Sequence, residues 1–82
     1  SKAIEYDSKD DHAYYARGSA KSCLKDFKGA IEDYNKAIEY NPDFAHAYHN
    51  RGSAKRKLSN YDGAIEDLTK SVELDPNSAV TY

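Results

Sequence analysis

Three histidines and one cysteine are the residues of this chain best suited to chemistry. His46 and His49 are three residues apart, as on one helical face, and His12 lies one 34-residue period before His46. Such a group could hold a metal ion, but no carboxylate or thiol has a recognisable ligand spacing beside it. Cys23 is a lone thiol without an identified base, and no phosphate loop or nucleophile motif occurs. We therefore expect a non-enzymatic protein with no metal and no cofactor, whose histidines belong to a binding surface.

Composition excludes several other classes. The net charge is -2 and the isoelectric point is near 5.8, so nothing attracts the chain generally to nucleic acid or to anionic lipid. The sequence has no long apolar run, no signal-peptide pattern and no second cysteine for a disulfide. We predict no nucleic-acid partner, no membrane partner and a cytoplasmic location.

The elements that position these residues follow from an internal repeat. Residues 11–44 laid on residues 45–78 give 17 identities in 34 positions without a gap. A fixed period of this length is typical of stacked units that bury their apolar faces only against neighbours. We assign residues 11–44 and 45–78 to two repeats. Residues 1–10 are assigned to the end of a preceding repeat, because residues 2–6 repeat residues 36–40, and residues 79–82 to the start of a further one.

Each repeat is predicted to be a helical hairpin. Apolar residues recur with helical spacing, and Asp26 and Asn60 are suitable N-caps for the two second helices. Pro42 and Pro76 should end these helices, and each is expected in the first turn of the next one. The prediction is an all-α fold of antiparallel helix-turn-helix repeats.

Small residues interrupt the first helix of each repeat. Gly18 and Gly52 lie in its middle, where glycine costs roughly 1 kcal/mol relative to alanine. Together with Ala20, Ala30 and their copies Ala54 and Ala64, they are predicted to let the two helices of a hairpin approach closely.

These positions carry a family resemblance. In order they are Tyr14, Gly18, Ala30, Tyr34 and Pro42, then Tyr48, Gly52, Ala64, Leu68 and Pro76. The pattern resembles the tetratricopeptide repeat, over the whole chain. Departures are Leu68 for an aromatic, Ser71 for an alanine, Arg17 and Arg51 for leucine, and Lys21 and Lys55 for tyrosine. The resemblance implies a right-handed α-solenoid whose first helices line a concave groove that binds extended peptides or partner helices.

Carried over by position, the groove has two sets of residues. From the first repeat they are His12, Tyr15, Ala16, Ser19, Ser22 and Cys23. From the second they are His46, His49, Asn50, Ser53, Arg56 and Lys57. Several of these positions differ between the copies while the packing positions agree, as expected of a face adapted to a ligand, although drift on an exposed face would look the same.

Charge suggests a ligand class. The helix beginning at Ala45 carries Arg51, Lys55, Arg56 and Lys57 and no acidic residue. A basic inner wall favours an acidic peptide or a terminal carboxylate. Alternatively, Arg17 with Asp33 and Arg51 with Asp67 form structural ion pairs, which would remove Arg51 from the ligand set. Chaperone adaptors of this family are expected to bind a terminal carboxylate through a set of Lys, Asn and Arg residues. Of the positions in that set, this chain matches only Asn50.

Two functions remain open from the sequence. The first is a protein-interaction scaffold that binds a protein or peptide partner in its groove. The alternative is an assembly module that forms a homo-oligomer through exposed terminal repeat faces or tethers another domain of a longer chain.

Overall fold

A computed structural model describes the backbone of residues 2–75 and the side chains of residues 11–75. Its four helices are α1 (Lys2–Cys23), α2 (Phe27–Tyr40), α3 (Ala45–Lys57) and α4 (Tyr61–Leu74). The described part of the chain contains no strand. Helices α1 and α2 pack as one hairpin and α3 and α4 as the next, and α2 packs on α3. The predicted all-α fold of helix-turn-helix repeats is confirmed.

The turn inside each hairpin is built from a left-handed residue and an N-cap. Lys25 has φ 68° and Ser59 has φ 70°, a conformation that reverses the chain directly after a helix. The carboxylate of Asp26 accepts from the backbone N–H of Gly29 at 3.1 Å. Asn60 caps α4 in the same way. The two predicted N-caps are therefore confirmed.

The connection between the repeats differs from the prediction in one respect. Helix α2 ends at Tyr40, directly before Asn41 and Pro42, as expected. Pro42 is not in the first turn of α3, however, because α3 has its N-cap at Phe44. The side-chain oxygen of Asn41 accepts from the N–H of Asp43 at 3.2 Å, and this Asx turn keeps the chain turning past the proline. The corresponding expectation for Pro76 lies outside the described residues.

Helix α1 has 22 residues and no break before Asp11. Ser8 stands one 34-residue period before Pro42 of the first repeat, so the sequence lacks at this point the proline that follows α2. The assignment of residues 1–10 to a preceding repeat stays a prediction, and residues 79–82 are outside the described part.

Close packing inside the hairpins depends on the two glycines. A Cβ atom on Gly18 would lie 2.9 Å from Cε1 of Tyr34, and one on Gly52 would lie 3.1 Å from the carbonyl oxygen of Ala64. A side chain at Gly18 would force a shift and one at Gly52 would be tight, and Ala30 and Ala64 beside them are buried, as predicted. The prediction for Ala20 was wrong, because Ala20 is exposed. Its counterpart Ala54 is 1% exposed, so this position is buried only where another repeat precedes it.

The core of the described region joins the two repeats. Ala37 of α2 and Ala47 of α3 are fully buried and cluster with Phe44, and the partly buried Tyr14, Tyr15 and Ile38 pack against them. The core therefore holds the two first helices, α1 and α3, side by side. The faces of these two helices that lie outside the core adjoin one another.

Candidate functional site

A pocket of about 290 Å³ lies between the first helices of the two repeats. Its lining residues are Ser19, Ser22, Cys23, Tyr34, Asn50 and Ser53. All but Tyr34 belong to the groove positions named from the sequence. We call this pocket, with the exposed faces of α1 and α3 beside it, the groove.

Tyr34 of α2 is the pocket residue that the sequence reasoning missed. The side chain is buried, at 1% exposure, and its hydroxyl donates to Oγ of Ser19 at 3.2 Å. Burial raises the pKa of this phenol above its ordinary value, so the hydroxyl stays protonated and available as a donor. The sequence contained one signal for this role: the equivalent position of the second repeat is Leu68, which has no hydroxyl.

Asn50 is held across the boundary between the repeats. Its amide nitrogen donates to the Tyr15 hydroxyl at 3.0 Å and lies 3.5 Å from Oγ of Ser19. Its amide oxygen lies 3.3 Å from Nδ1 of His49. The amide therefore has a fixed orientation beside the pocket, which is what a recognition group requires.

An aromatic cluster borders the groove. The ring centroids of Tyr15 and Phe44 are 4.9 Å apart, and those of His12 and Phe44 are 5.2 Å apart. Nδ1 of His12 lies 2.9 Å from Oδ1 of Asp11. Tyr15 and His12 thus pack at the repeat boundary and do not line the pocket itself.

Four other predicted residues lie on α3 outside the pocket, and the predicted Ala16 is exposed on α1. His46 is exposed and His49 is half-buried. Arg56 and Lys57 are exposed in the last turn of α3, where positive charge complements the helix dipole. The structure therefore gathers Ser19, Asn50 and Ser53 around one pocket and leaves these four residues beside it.

Two of the four basic side chains of α3 are directed to α4 rather than to the groove. Nε and Nη2 of Arg51 each donate to the Asp67 carboxylate at 2.8 Å, and Nζ of Lys55 lies 3.1 Å from it. Burial raises the pKa of Asp67, but the hydrogen bonds from Arg51 and Lys55 outweigh it, so the pKa is lowered. The basic inner wall predicted from the sequence was wrong for these two residues, since their charges are compensated by Asp67.

The first repeat contains the matching ion pair. Nη2 of Arg17 lies 2.8 Å from Oδ1 of Asp33, and Lys21 contacts the same carboxylate. The hydrogen bond from Arg17 is the main cause that lowers the pKa of Asp33. Each arginine also lies over a tyrosine of its own helix, at 5.2 Å from the ring centroid. The predicted structural pairs are therefore present in both repeats.

No group of three or more potential metal ligands occurs among the described residues. Within the same part of the chain, no helix has the length and apolar character needed to cross a bilayer.

Comparison with known proteins identifies the family and the solved structures that this chain is similar to. Family profiles described as TPR repeat and Tetratricopeptide repeat match residues 24–58 and 45–78. A search of curated protein sequences gives no match. Two crystal structures of MamA are similar. One is 32% identical with a TM-score of 0.79, and the alignment covers 80% of this chain and 39% of that one. The other is 30% identical with a TM-score of 0.74 and covers 84% and 38%. This chain thus spans less than two-fifths of either MamA chain. The repeat period, the two hairpins and the profile matches together show that the chain belongs to the tetratricopeptide repeat family.

Proposed function

We propose that the chain is a non-enzymatic protein-interaction scaffold that binds an extended peptide, or an extended segment of a partner protein, in the groove between α1 and α3. Repeats of this family are protein-interaction modules in general, and the groove is the finer part of the proposal. The observation that carries it is the pocket between Ser19, Asn50 and Ser53, because it joins the two first helices and contains an oriented amide.

The pocket is large enough for one peptide side chain and lies at the lower end of the size range of small-molecule pockets. Pockets for small ligands usually enclose about 300–1,000 Å³, and this one encloses about 290 Å³. Its lining is small and uncharged, with three serine hydroxyls and one thiol. The amide nitrogen of Asn50 is already shared between Tyr15 and Ser19, but its oxygen has a second lone pair beside the one directed to His49, which can accept from a backbone N–H of an extended chain. A small polar side chain in the pocket, with its backbone against Asn50, fits this arrangement.

Charge at the rim adds a preference for acidic segments. With Arg51 and Lys55 directed to Asp67, the preference rests on Arg56 and Lys57, which are both exposed. Exposed rim charges act mainly on the association rate and are screened by salt. We therefore expect an acidic residue in the ligand to speed association at low salt and to contribute little at high salt.

The test is a selection of extended peptides from a random display library against this chain. Binding of the selected peptides is then measured to two variants, Ser53→Tyr, which fills the pocket, and Thr69→Tyr. Thr69 is exposed on α4, so Thr69→Tyr adds the same ring without touching the groove.

The proposal predicts that Ser53→Tyr weakens binding by at least tenfold and that Thr69→Tyr leaves it within about twofold, a difference of roughly 1.4 kcal/mol or more. Equal binding to Ser53→Tyr and the original chain would contradict it, provided that circular dichroism shows the variant to be folded.

A further inference from the structure

The first helices of the two repeats have walls of different charge at the same repeat positions. The α1 wall lines the pocket and consists of Ser19, Ser22 and Cys23. The α3 wall stands one 34-residue period later and consists of Ser53, Arg56 and Lys57. The three positions of each wall lie on one helical face, because the second and third follow the first by three and four residues. An uncharged wall on α1 is therefore followed by a basic wall on α3.

The charges of the α3 wall are not used inside the described part of the protein. Arg56 and Lys57 are exposed and take part in no ion pair among residues 11–75. Arg51 and Lys55 of the same helix, by contrast, contact the Asp67 carboxylate at 2.8 and 3.1 Å. Two positive charges of α3 are therefore available to a ligand.

The α1 side of the groove offers no such charge between residues 11 and 23. Arg17 and Lys21 both contact the Asp33 carboxylate, and Nδ1 of His12 lies 2.9 Å from Oδ1 of Asp11. The groove is thus asymmetric. An acidic group of a ligand is favoured over the α3 wall and not over the α1 wall.

The step between the two walls is one helix-to-helix distance. Nδ2 of Asn50 on α3 donates to the Tyr15 hydroxyl on α1 at 3.0 Å, and Cα atoms of the two helices approach to within 8 Å. Helices packed side by side have axes about 8–10 Å apart. A bound chain that crosses both helices therefore advances by about 8–10 Å from the α1 wall to the α3 wall.

Of the two regular extended conformations, one combines this step with side chains on the same side of the chain. Polyproline II has three residues per turn and a rise of about 3.1 Å, so residues i and i+3 point the same way and are about 9 Å apart. In a β-strand, side chains on the same face are two or four residues apart, which is about 7 or 13 Å. The step between the walls therefore fits polyproline II.

We propose that the groove binds its peptide in the polyproline II conformation, with a small uncharged side chain at the α1 wall and an acidic side chain three residues away at the α3 wall. This inference rests on the function proposed above and adds the conformation of the ligand and the spacing of its two recognition groups. Polyproline II has no internal hydrogen bonds, so its N–H groups are free to donate to the side-chain oxygen of Asn50.

The first part of the test finds which residue of a peptide occupies the pocket. One peptide from the display selection is used, with its acidic residues replaced by alanine. Tryptophan is placed at each position in turn, and binding is measured to the original chain and to Ser53→Tyr, whose pocket is filled. The pocket position is the one where tryptophan weakens binding to the original chain but has no further effect on Ser53→Tyr.

The second part finds the acidic position with a single aspartate placed at each position in turn, at low salt. Binding is compared between the original chain and Arg56→Glu with Lys57→Glu. Lys28→Glu with Lys70→Glu is the matched control, because it makes the same charge change at exposed positions of the second helices. We expect aspartate three residues from the pocket position, on one side of it, to bind the α3 variant at least threefold more weakly. Aspartate one or two residues from the pocket should lose less than twofold, and the control should show no dependence on position.

Any separation other than three residues would overturn the proposal, and a separation of two or four would indicate a β-strand. An aspartate effect that is equal at all positions, or equal in the control variant, would overturn it as well. In these cases the function proposed above still holds, because Ser53→Tyr weakens binding. If Ser53→Tyr leaves the binding of every selected peptide unchanged, the proposed function itself fails, and the present proposal fails with it.

Discussion

Replacement of Asp67 by alanine should destabilise the fold more than any other loss of a single charge in the described part. Its carboxylate is 5% exposed and accepts two hydrogen bonds from Arg51 and one from Lys55. Removing one partner of a fully buried ion pair costs about 3–5 kcal/mol. The side chains of Arg51 and Lys55 are 17% and 21% exposed, so both regain some water, and we expect a loss of about 2–3 kcal/mol. For a chain of this length that is a large part of a total of roughly 4–12 kcal/mol.

Urea unfolding followed by far-ultraviolet circular dichroism measures this loss, at one fixed protein concentration for all variants. Glu66→Ala is the matched control, because Glu66 is exposed on the same helix, and it should change stability by less than about 0.5 kcal/mol. Asp33→Ala should cost less than Asp67→Ala, since Arg17 is far more exposed than Arg51. If Asp33→Ala were the more costly of the two, burial of the paired cation would not set the cost of losing the carboxylate.

Three further predictions concern turns, packing and pH. Lys25→Gly and Ser59→Gly should each raise stability by about 0.5–1 kcal/mol in the same assay, because both residues have positive φ. Gly18→Ala should lower the melting temperature, since the overlap with the buried Tyr34 ring costs about 1–3 kcal/mol and outweighs the helix propensity gained. Because the pKa of Asp67 is lowered by folding, its contribution is complete above the unfolded value of about 3.9 and is lost as the pH falls through the folded value. Acid titration of Asp67→Ala should therefore show a shallower loss of stability than the original chain, and an identical acid limb would contradict this reasoning.

The fold was largely predictable because its signals are local and occur twice. Helix spacing, the N-caps Asp26 and Asn60, and the stop at Asn41 all act within a few residues, and the structure confirms them. Pro42 was misplaced because the Asx turn of Asn41 depends on a side-chain conformation that spacing does not encode. Ala20 was misplaced because burial of that position depends on whether another repeat precedes it.

The candidate site was predictable only in part. Helical position indicated which residues of α1 and α3 face the same side, and Ser19, Asn50 and Ser53 line one pocket as expected from it. The direction of a long side chain is not fixed by its position, so Lys55 was assigned to the groove wall although it reaches Asp67. Tyr34 was missed because it lies on the second helix α2, whereas the groove positions were taken from first helices alone.

The central claim is that the groove is the binding surface, and mapping a bound peptide tests it most directly. A peptide from the display selection is titrated into isotope-labelled protein, and the amide chemical shifts of residues 11–75 are followed by nuclear magnetic resonance. We expect the largest changes on Ser19, Ser22, Asn50 and Ser53. Changes confined to the exposed residues of α2 and α4, with these four unmoved, would contradict it.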